Sequence, residues 1–301
     1  MSQQPVIAVV GPTAAGKSDL AVDIALRLGG ECVNADSMQL YRGMDIGTAK
    51  LTPAEQRGVP HHLLDIWDVT VTASVAEYQK LARAVIDSVE VAVLVGGSGL
   101  YVRAAIDELE FPGTDPEIRA RLEGELAERG PAPLYERLRE QDPAAAAAIL
   151  PSNGRRIVRA LEVIEHTGRP FSATMPGYDA VYPSVQIGLD VPRPELDERI
   201  AVRVERMWQA GLVDEVRDLL GQGLAEGRTA SRALGYAQVI RFLEGEWSEE
   251  QAIEETVRAT RRFARRQESW FRRDPRVRWL PYDAPDLLER SLALISAHPF
   301  G

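Results

Sequence analysis

The chain of 301 residues has one cysteine, Cys32, and four histidines. A single thiol excludes a disulfide framework and a cysteine-rich zinc site, and four histidines leave little for a metal cluster. No run approaches the ~18 consecutive apolar residues of a membrane-spanning helix. Met1-Ser2-Gln3-Gln4-Pro5 lacks the basic segment of a leader, so no membrane association is expected and the cytoplasm is the expected location. Internal repeats and low-complexity linkers are also missing. What is there is 45% hydrophobic residues, enough to bury the core of one large domain or two. The net charge of −10 argues against a nucleic-acid partner on average, but the charge is spread unevenly.

The most specific stretch is Gly11-Pro12-Thr13-Ala14-Ala15-Gly16-Lys17-Ser18. It follows the apolar run Val6–Val10 and opens a helical pattern with Leu20, Ile24 and Leu28 at spacing four. Strand, glycine-rich loop and helix form the context in which such a loop cradles phosphate. The loop amides and the positive end of the helix face one anion, Lys17 adds a point charge, and the Ser18 hydroxyl suits Mg²⁺.

Two further strand ends belong beside this loop. Glu31–Ala35 reads as a strand ending at Asp36-Ser37-Met38-Gln39, and Val91–Val95 as a buried strand ending at Gly96-Gly97-Ser98. In an open parallel sheet, ligands gather at the carboxyl ends of strands. A lone Asp36 after a strand is commonly a helix N-cap, but its place beside a phosphate site points to chemistry. An NTPase normally carries a Mg²⁺-holding carboxylate at a neighbouring strand end, and here that end is Gly-Gly-Ser. Pro60-His61-His62 offers adjacent histidines without a third ligand, a poor metal site. Ser74–Glu90 reads as an amphipathic helix with Val75, Tyr78, Leu81, Val85 and Val89 inward and a Ser74/Glu77 capping box.

From Thr114 the pattern is helical and poor in strands, until Ser184–Asp190 alternates again. Helices dominate thereafter, including one expected over Ser231–Leu243. The fold class expected is α/β, a P-loop NTPase-like parallel sheet flanked by helices with an inserted all-helical lobe. The divisions expected are residues 1–111 and 184–301 for the core, mostly helical in its second part, and 112–183 for the lobe.

Residues 256–278 hold nine arginines against Glu268 and Asp274, interleaved with Phe263, Trp270 and Phe271. Arg119, Arg155, Arg156 and Arg159 add basic points to the lobe. A cationic surface with aromatics suits a polyanion with exposed bases; a solvated helix face is the plainer alternative.

Taken together these motifs resemble the bacterial tRNA dimethylallyltransferases. The resemblance is carried by Gly11–Ser18, Asp36–Tyr41, Gly43–Lys50, His61–Asp65, Val95–Tyr101, Arg159–Glu162 and Thr260–Gln267, in order along nearly the whole chain. It implies transfer of a dimethylallyl group from dimethylallyl diphosphate to N6 of the adenosine 3′ of the anticodon, in tRNAs reading codons that begin with U. It implies Asp36 as general base, with Ser98, at a position usually threonine, beside the reacting centre. Gly11, Pro12, Thr13, Ala14, Ala15, Gly16, Lys17 and Ser18, with Arg203, would hold the diphosphate, and Mg²⁺ would sit at Ser18. Contacts to the tRNA anticodon stem-loop would come from Asp36, Ser37, Met38, Gln39, Ser98 and Arg119. Further contacts would come from Arg155, Arg156, Ile157, Val158, Arg159, Arg232, Gly235 and Tyr236. A monomer is expected. The chain departs from the family pattern at Ala237, where a basic residue is usual, and at Ser269, where threonine is common. A small-molecule or nucleotide kinase, and a non-catalytic RNA-binding P-loop protein, are the competing readings.

Overall fold

The computed structural model describes residues 6–174 and 177–298. Met1–Pro5, on which the leader expectation rests, lie outside the described residues. Val6–Val10 (β1) leads through the glycine-rich loop into Lys17–Leu28 (α1). The chain continues as Glu31–Asn34 (β2), Pro53–Gln56 (α2), His61–His62 (β3), Val75–Ile86 (α3), Ala92–Gly96 (β4) and Gly99–Ile106 (α4). Then come Pro116–Arg129 (α5), Pro131–Gln141 (α6), Pro143–Ala148 (α7) and Gly154–Thr167 (α8). After Ser184–Asp190 (β5) follow Arg193–Gln209 (α9), Leu212–Gly221 (α10), Tyr236–Leu243 (α11), Glu249–Phe271 (α12), Val277–Pro281 (β6) and Leu287–Ala297 (α13).

The chain divides into two compact units, one up to Ile106 and from Ala180 onward, the other Asp107–Asp179. The first contains a six-stranded sheet in the order β3-β2-β4-β1-β5-β6, parallel throughout. β1 lies between β4 and β5, with Val10 level with Gly96 and Gly188. All five of its residues are buried, which is why it reads as an unbroken apolar run rather than an alternation. Ile7 and Val9 join a core with α1, α9, α12 and α13, and α4 packs on β1 and β4. This arrangement gathers the carboxyl ends of β1, β2 and β4, and with them the loops at Gly11, Ala35 and Gly97, at one edge.

Some local expectations shift. α3 buries Tyr78, Ala82, Ile86 and the following Val89, while Leu81 is exposed. The helix is turned so that Tyr78 Oη donates to Asn34 O at 2.9 Å, and small Ala82 lets it approach the sheet. Ser74 caps it by accepting from Glu77 N at 3.3 Å, but the return half of the capping box is not among the described hydrogen bonds. The single helix expected over Ser231–Leu243 is interrupted. Gly235 adopts φ 87°, and α11 starts only after it. α4 starts at Gly99, where the glycine-rich sequence reads as loop, so the helix shows only in the structure.

The second unit is helical. Leu122, Leu134, Leu138, Ile157 and Leu161 are fully buried in its core, and α8 packs against α5 and α6. Tyr182 and Pro183 belong with the sheet, since Val6 N donates to Pro183 O at 3.0 Å. Leu122→Ala should lower the stability of this unit by about 2–5 kcal/mol through lost burial and a cavity. Urea denaturation followed by a probe in α5 reads the change, and a loss below about 1 kcal/mol would show that the site collapses around the deletion.

Candidate active site

The loop after β1 is shaped by its backbone. Gly16 lies at φ 93°, in the left-handed region that residues with a Cβ avoid, and Ala14 is held there too at φ 64°. The turn aims the start of α1 at the cleft. Lys17 Nζ donates to Pro12 O at 2.7 Å, and Arg199 Nε donates to Ala14 O at 2.8 Å. Thr13 N donates to Gln267 Oε1 at 2.9 Å.

Asp36, beyond β2, is set by a short network. Its amide donates to Asn34 Oδ1 at 2.8 Å, and its Oδ1 accepts from Met38 N at 2.9 Å. Its second carboxylate oxygen has no hydrogen-bond partner among the described residues. Asn34 is fixed in turn by donating to Leu63 O at 3.0 Å. Ser98 Oγ lies 3.4 Å from Ser37 Oγ and 3.3 Å from Ser37 N, beside this turn.

The end of β4 is closed. A Cβ on Gly96 would collide with the Ala35 backbone, and one on Gly97 with the amide of Gln267. No carboxylate fits at either position.

These strand ends surround two adjoining cavities that share Thr13, Asp36, Thr48 and Arg203. The polar one, of ≈ 70 Å³, is lined also by Lys17, Ser18, Gln39, His61, Gly97 and Gln267. The larger one, of ≈ 310 Å³, is walled by Val204, Met207, Leu234, Thr260 and Phe263 and edged by Ser37, Met38, Arg232, Gly235 and Arg266. Arg203, from α9, donates to Thr48 O at 3.3 Å. Burial pulls its pKa below the usual value, while the carboxylate of Asp36 opposes the shift. Burial also lowers the Lys17 pKa to about 8, helped by repulsion from Arg203 and opposed by Asp36. Two cations crowded beside one carboxylate make a seat for an anion.

This gives a signed pH dependence. An anion raises the Lys17 pKa above its free value of about 8. Below that pH the free protein already carries the charge, and above it binding must take up a proton. Affinity for inorganic diphosphate should therefore fall by up to about tenfold per pH unit above pH 8. Lys17 also binds its proton more weakly folded than unfolded, so its own contribution makes stability rise with pH above about 8. Isothermal titration across pH 7–10 checks the binding, and a profile no steeper than that of Lys17→Met would contradict it.

The other sequence-derived residues sort by position. Ser18, Gln39 and Arg203 meet at the polar cavity, and Ser37, Met38, Arg232 and Gly235 at the apolar one. Tyr236 is fully buried, its hydroxyl donating to Glu215 at 2.5 Å. Glu215 also accepts from the amides of Asp45, Ile46 and Gly47, which fixes the loop that carries Thr48. In the second unit, Arg155 and Arg156 are exposed on α8, while Ile157 and Val158 are buried in its core. Arg119 and Arg159 both bind the buried Glu162. Burial pushes Glu162 up, but the hydrogen bonds from the two arginines outweigh it and hold the carboxyl below its usual range. Arg159 also donates to Pro112 O at 2.6 Å.

The arginine-rich stretch divides in the same way. Arg258 pairs with Glu255, Arg272 with Asp190, and Arg276 with Asp274. Arg261 donates to Asp197 O, Arg262, Arg265 and Arg266 are exposed, and Trp270 is 40% exposed. Sequence reasoning missed Gln267, Arg199, Thr48 and Glu215 as site residues. Gln267 left a faint signal, a neutral amide on the inward face of an arginine-rich helix.

A family model described as IPP transferase matches residues 39–274. A tRNA dimethylallyltransferase of Thermobifida fusca is 72% identical, the match covering 97% of this chain and 95% of that protein. One of Streptomyces avermitilis is 74% identical over 94% of this chain and 92% of its own length. Among solved structures, a tRNA isopentenylpyrophosphate transferase of Bacillus halodurans superposes with a TM-score of 0.73 at 40% identity, covering 98% of this chain and 96% of that one. A eukaryotic dimethylallyltransferase acting on tRNA gives a TM-score of 0.82 over 98% of this chain and 80% of that one; at 23% identity it speaks for the fold alone. The fold is P-loop NTPase-like.

Proposed function

The chain belongs to the IPP transferase family, and on that premise we propose that it alkylates N6 of the adenosine 3′ of the anticodon. The donor is dimethylallyl diphosphate, and the substrates are tRNAs reading codons that begin with U. The observation that carries this reading is the junction of the two cavities. There Asp36 stands beside two crowded cations on one side and an apolar chamber on the other.

The exocyclic amine of adenine is a poor nucleophile, because its lone pair is delocalised into the ring. The second oxygen of Asp36 accepts the N6 proton as the C–N bond forms at C1 of the allyl group. The C1–O bond breaks, and charge grows on the diphosphate against the loop amides, Lys17 and Arg203. The apolar chamber shields the allyl carbons from water. To reach this site the adenosine leaves the anticodon stack.

Among the described residues no three of His, Cys, Asp and Glu group to hold a metal. A lone Ser18 hydroxyl in the polar cavity nevertheless suits Mg²⁺, which keeps water and substrate phosphate oxygens as ligands. When bound, Mg²⁺ would neutralise part of the diphosphate charge.

Among the described residues no helix is long and apolar enough to cross a membrane. Exposed Arg155 and Arg156 serve as phosphate contacts. Replacing both by alanine should weaken tRNA binding and flatten the slope of log K against log salt by about 2. Filter binding at several salt concentrations reads this, and an unchanged slope would mark both as solvated residues. The function itself is tested by incubating the protein with unmodified tRNA and either dimethylallyl diphosphate or ATP. The expected product is tRNA carrying N6-isopentenyladenosine, formed without ATP. ATP consumption without prenylated nucleoside would instead favour a kinase.

A further inference from the structure

The geometry points to Gln267 as a positioning residue for the diphosphate donor, an assignment that rests on the reading above. Gln267 lies on α12, 5% exposed, and lines the polar cavity. Its Oε1 accepts from Thr13 N and its Nε2 donates to Gly97 O, each at 2.9 Å. An amide N–H can only donate and a backbone carbonyl can only accept, so the two partners fix which way the side chain faces. One neutral group therefore ties the start of the phosphate loop to the end of β4.

The tie has consequences for both partners. Thr13 N is turned toward Gln267, so the amides further along the loop and at the start of α1 are left to meet the anion. Gly97 leaves no room for another side chain, since a Cβ there would run into the Gln267 amide. The same helix face carries Thr256, Thr260 and Phe263 to the apolar cavity. One rigid element thus borders both halves of the cleft, and Gln267 is its contact with the phosphate loop.

The side chain matches its role in length and charge. Glutamate has the reach and keeps the acceptor for Thr13, but when ionised it cannot donate to Gly97 and places a negative charge beside the diphosphate. Leucine fills similar space and makes neither bond. A buried donor or acceptor left unpaired costs about 1–3 kcal/mol, roughly a five- to 160-fold change in an equilibrium constant.

The test uses the full-length enzyme with Gln267→Leu and Gln267→Glu. Three quantities are read: calorimetric binding of inorganic diphosphate, donor KM and kcat in the transfer assay, and tRNA binding on filters. Diphosphate Kd and donor KM should rise about fivefold or more in both variants, with tRNA affinity within about twofold of wild type. The Gln267→Glu defect should shrink as pH falls, because the protonated carboxyl regains a donor for Gly97 O, whereas the Gln267→Leu defect should not. Wild-type diphosphate affinity in either folded variant, with only Tm lowered, would overturn the assignment and leave Gln267 a packing residue. If Gln267→Leu does not fold, the pH dependence of Gln267→Glu decides alone, and a defect that does not change with pH overturns it. Wild-type protein that ignores inorganic diphosphate would overturn the parent reading, and this assignment with it.

Discussion

Asp36→Asn should lower kcat by about 10²–10⁴-fold, the usual worth of a positioned general base, while tRNA and donor bind as before. Asparagine keeps an oxygen that can accept from Met38 N, the bond that holds the turn at 2.9 Å. Asn34, Leu63 and Ser37 keep their places, so the fold of the strand end survives. What is lost is the negative group that offsets Lys17 and Arg203 and, in the proposed mechanism, accepts the N6 proton. The absence of that offset should also make the seat slightly more attractive to an anion, so donor KM stays level or falls as kcat collapses. Single-turnover transfer with saturating tRNA reads the chemical step. Turnover within about threefold of wild type would remove Asp36 from the proton-transfer role.

Lys17→Met should lower kcat/KM for the donor by about 10²–10³-fold, as removal of a charge-stabilising donor does. Methionine approximates the stem of lysine and leaves the loop packed. The ammonium it removes sits against Pro12 O with its pKa held near 8, so near neutral pH most of the protein carries the charge. As the C1–O bond breaks, negative charge on the leaving diphosphate rises and this cation gains in value, so kcat falls along with affinity. Tighter wild-type binding than mutant binding, with an unchanged chemical rate, would assign Lys17 to ground-state binding only.

The features legible in the sequence were those encoded locally. The phosphate loop declares itself because its glycines, lysine and serine must sit within one turn. β5 was readable to the residue because Ser184–Asp190 is a compact run bounded by proline. The broken helix before α11 was hidden because Ser231–Leu234 has ordinary helical composition, and only the backbone at Gly235 shows the chain turning. Hydrophobic spacing places Tyr78 of α3 and the following Val89 inward but puts Leu81 where Ala82 sits, because the position that approaches the sheet is an alanine, which such spacing undervalues.

Within the site, Asp36 is legible as a strand end beside the phosphate loop, whereas its role as base, and Arg203 altogether, enter through family resemblance. The partners that give them meaning lie far along the chain. Gln267 is 254 residues from Thr13 and 170 from Gly97, separations that no periodicity encodes. Glu215 likewise clasps a loop 168 to 170 residues away. Charge counting overstated the free basic surface: Arg258 pairs with Glu255 just outside the counted stretch, Arg276 spends its charge on the counted Asp274, and Arg272 pairs with Asp190, which only the fold brings to it.

The closed β4 end explains why a loop of ATP-binding type serves other chemistry. With Gly96 against Ala35 and Gly97 against Gln267, there is no place for a carboxylate at that strand end. On the proposed function the loop acts on a leaving diphosphate instead of directing phosphoryl transfer. One measurement bears on this claim most directly: a single turnover with unmodified tRNA and dimethylallyl diphosphate labelled with radiocarbon in the allyl group and radiophosphorus in the diphosphate. Radiocarbon is expected in the tRNA, on N6 of the adenosine 3′ of the anticodon, with all radiophosphorus released as intact diphosphate. Radiophosphorus in the tRNA, or diphosphate released with no radiocarbon transferred, would contradict it.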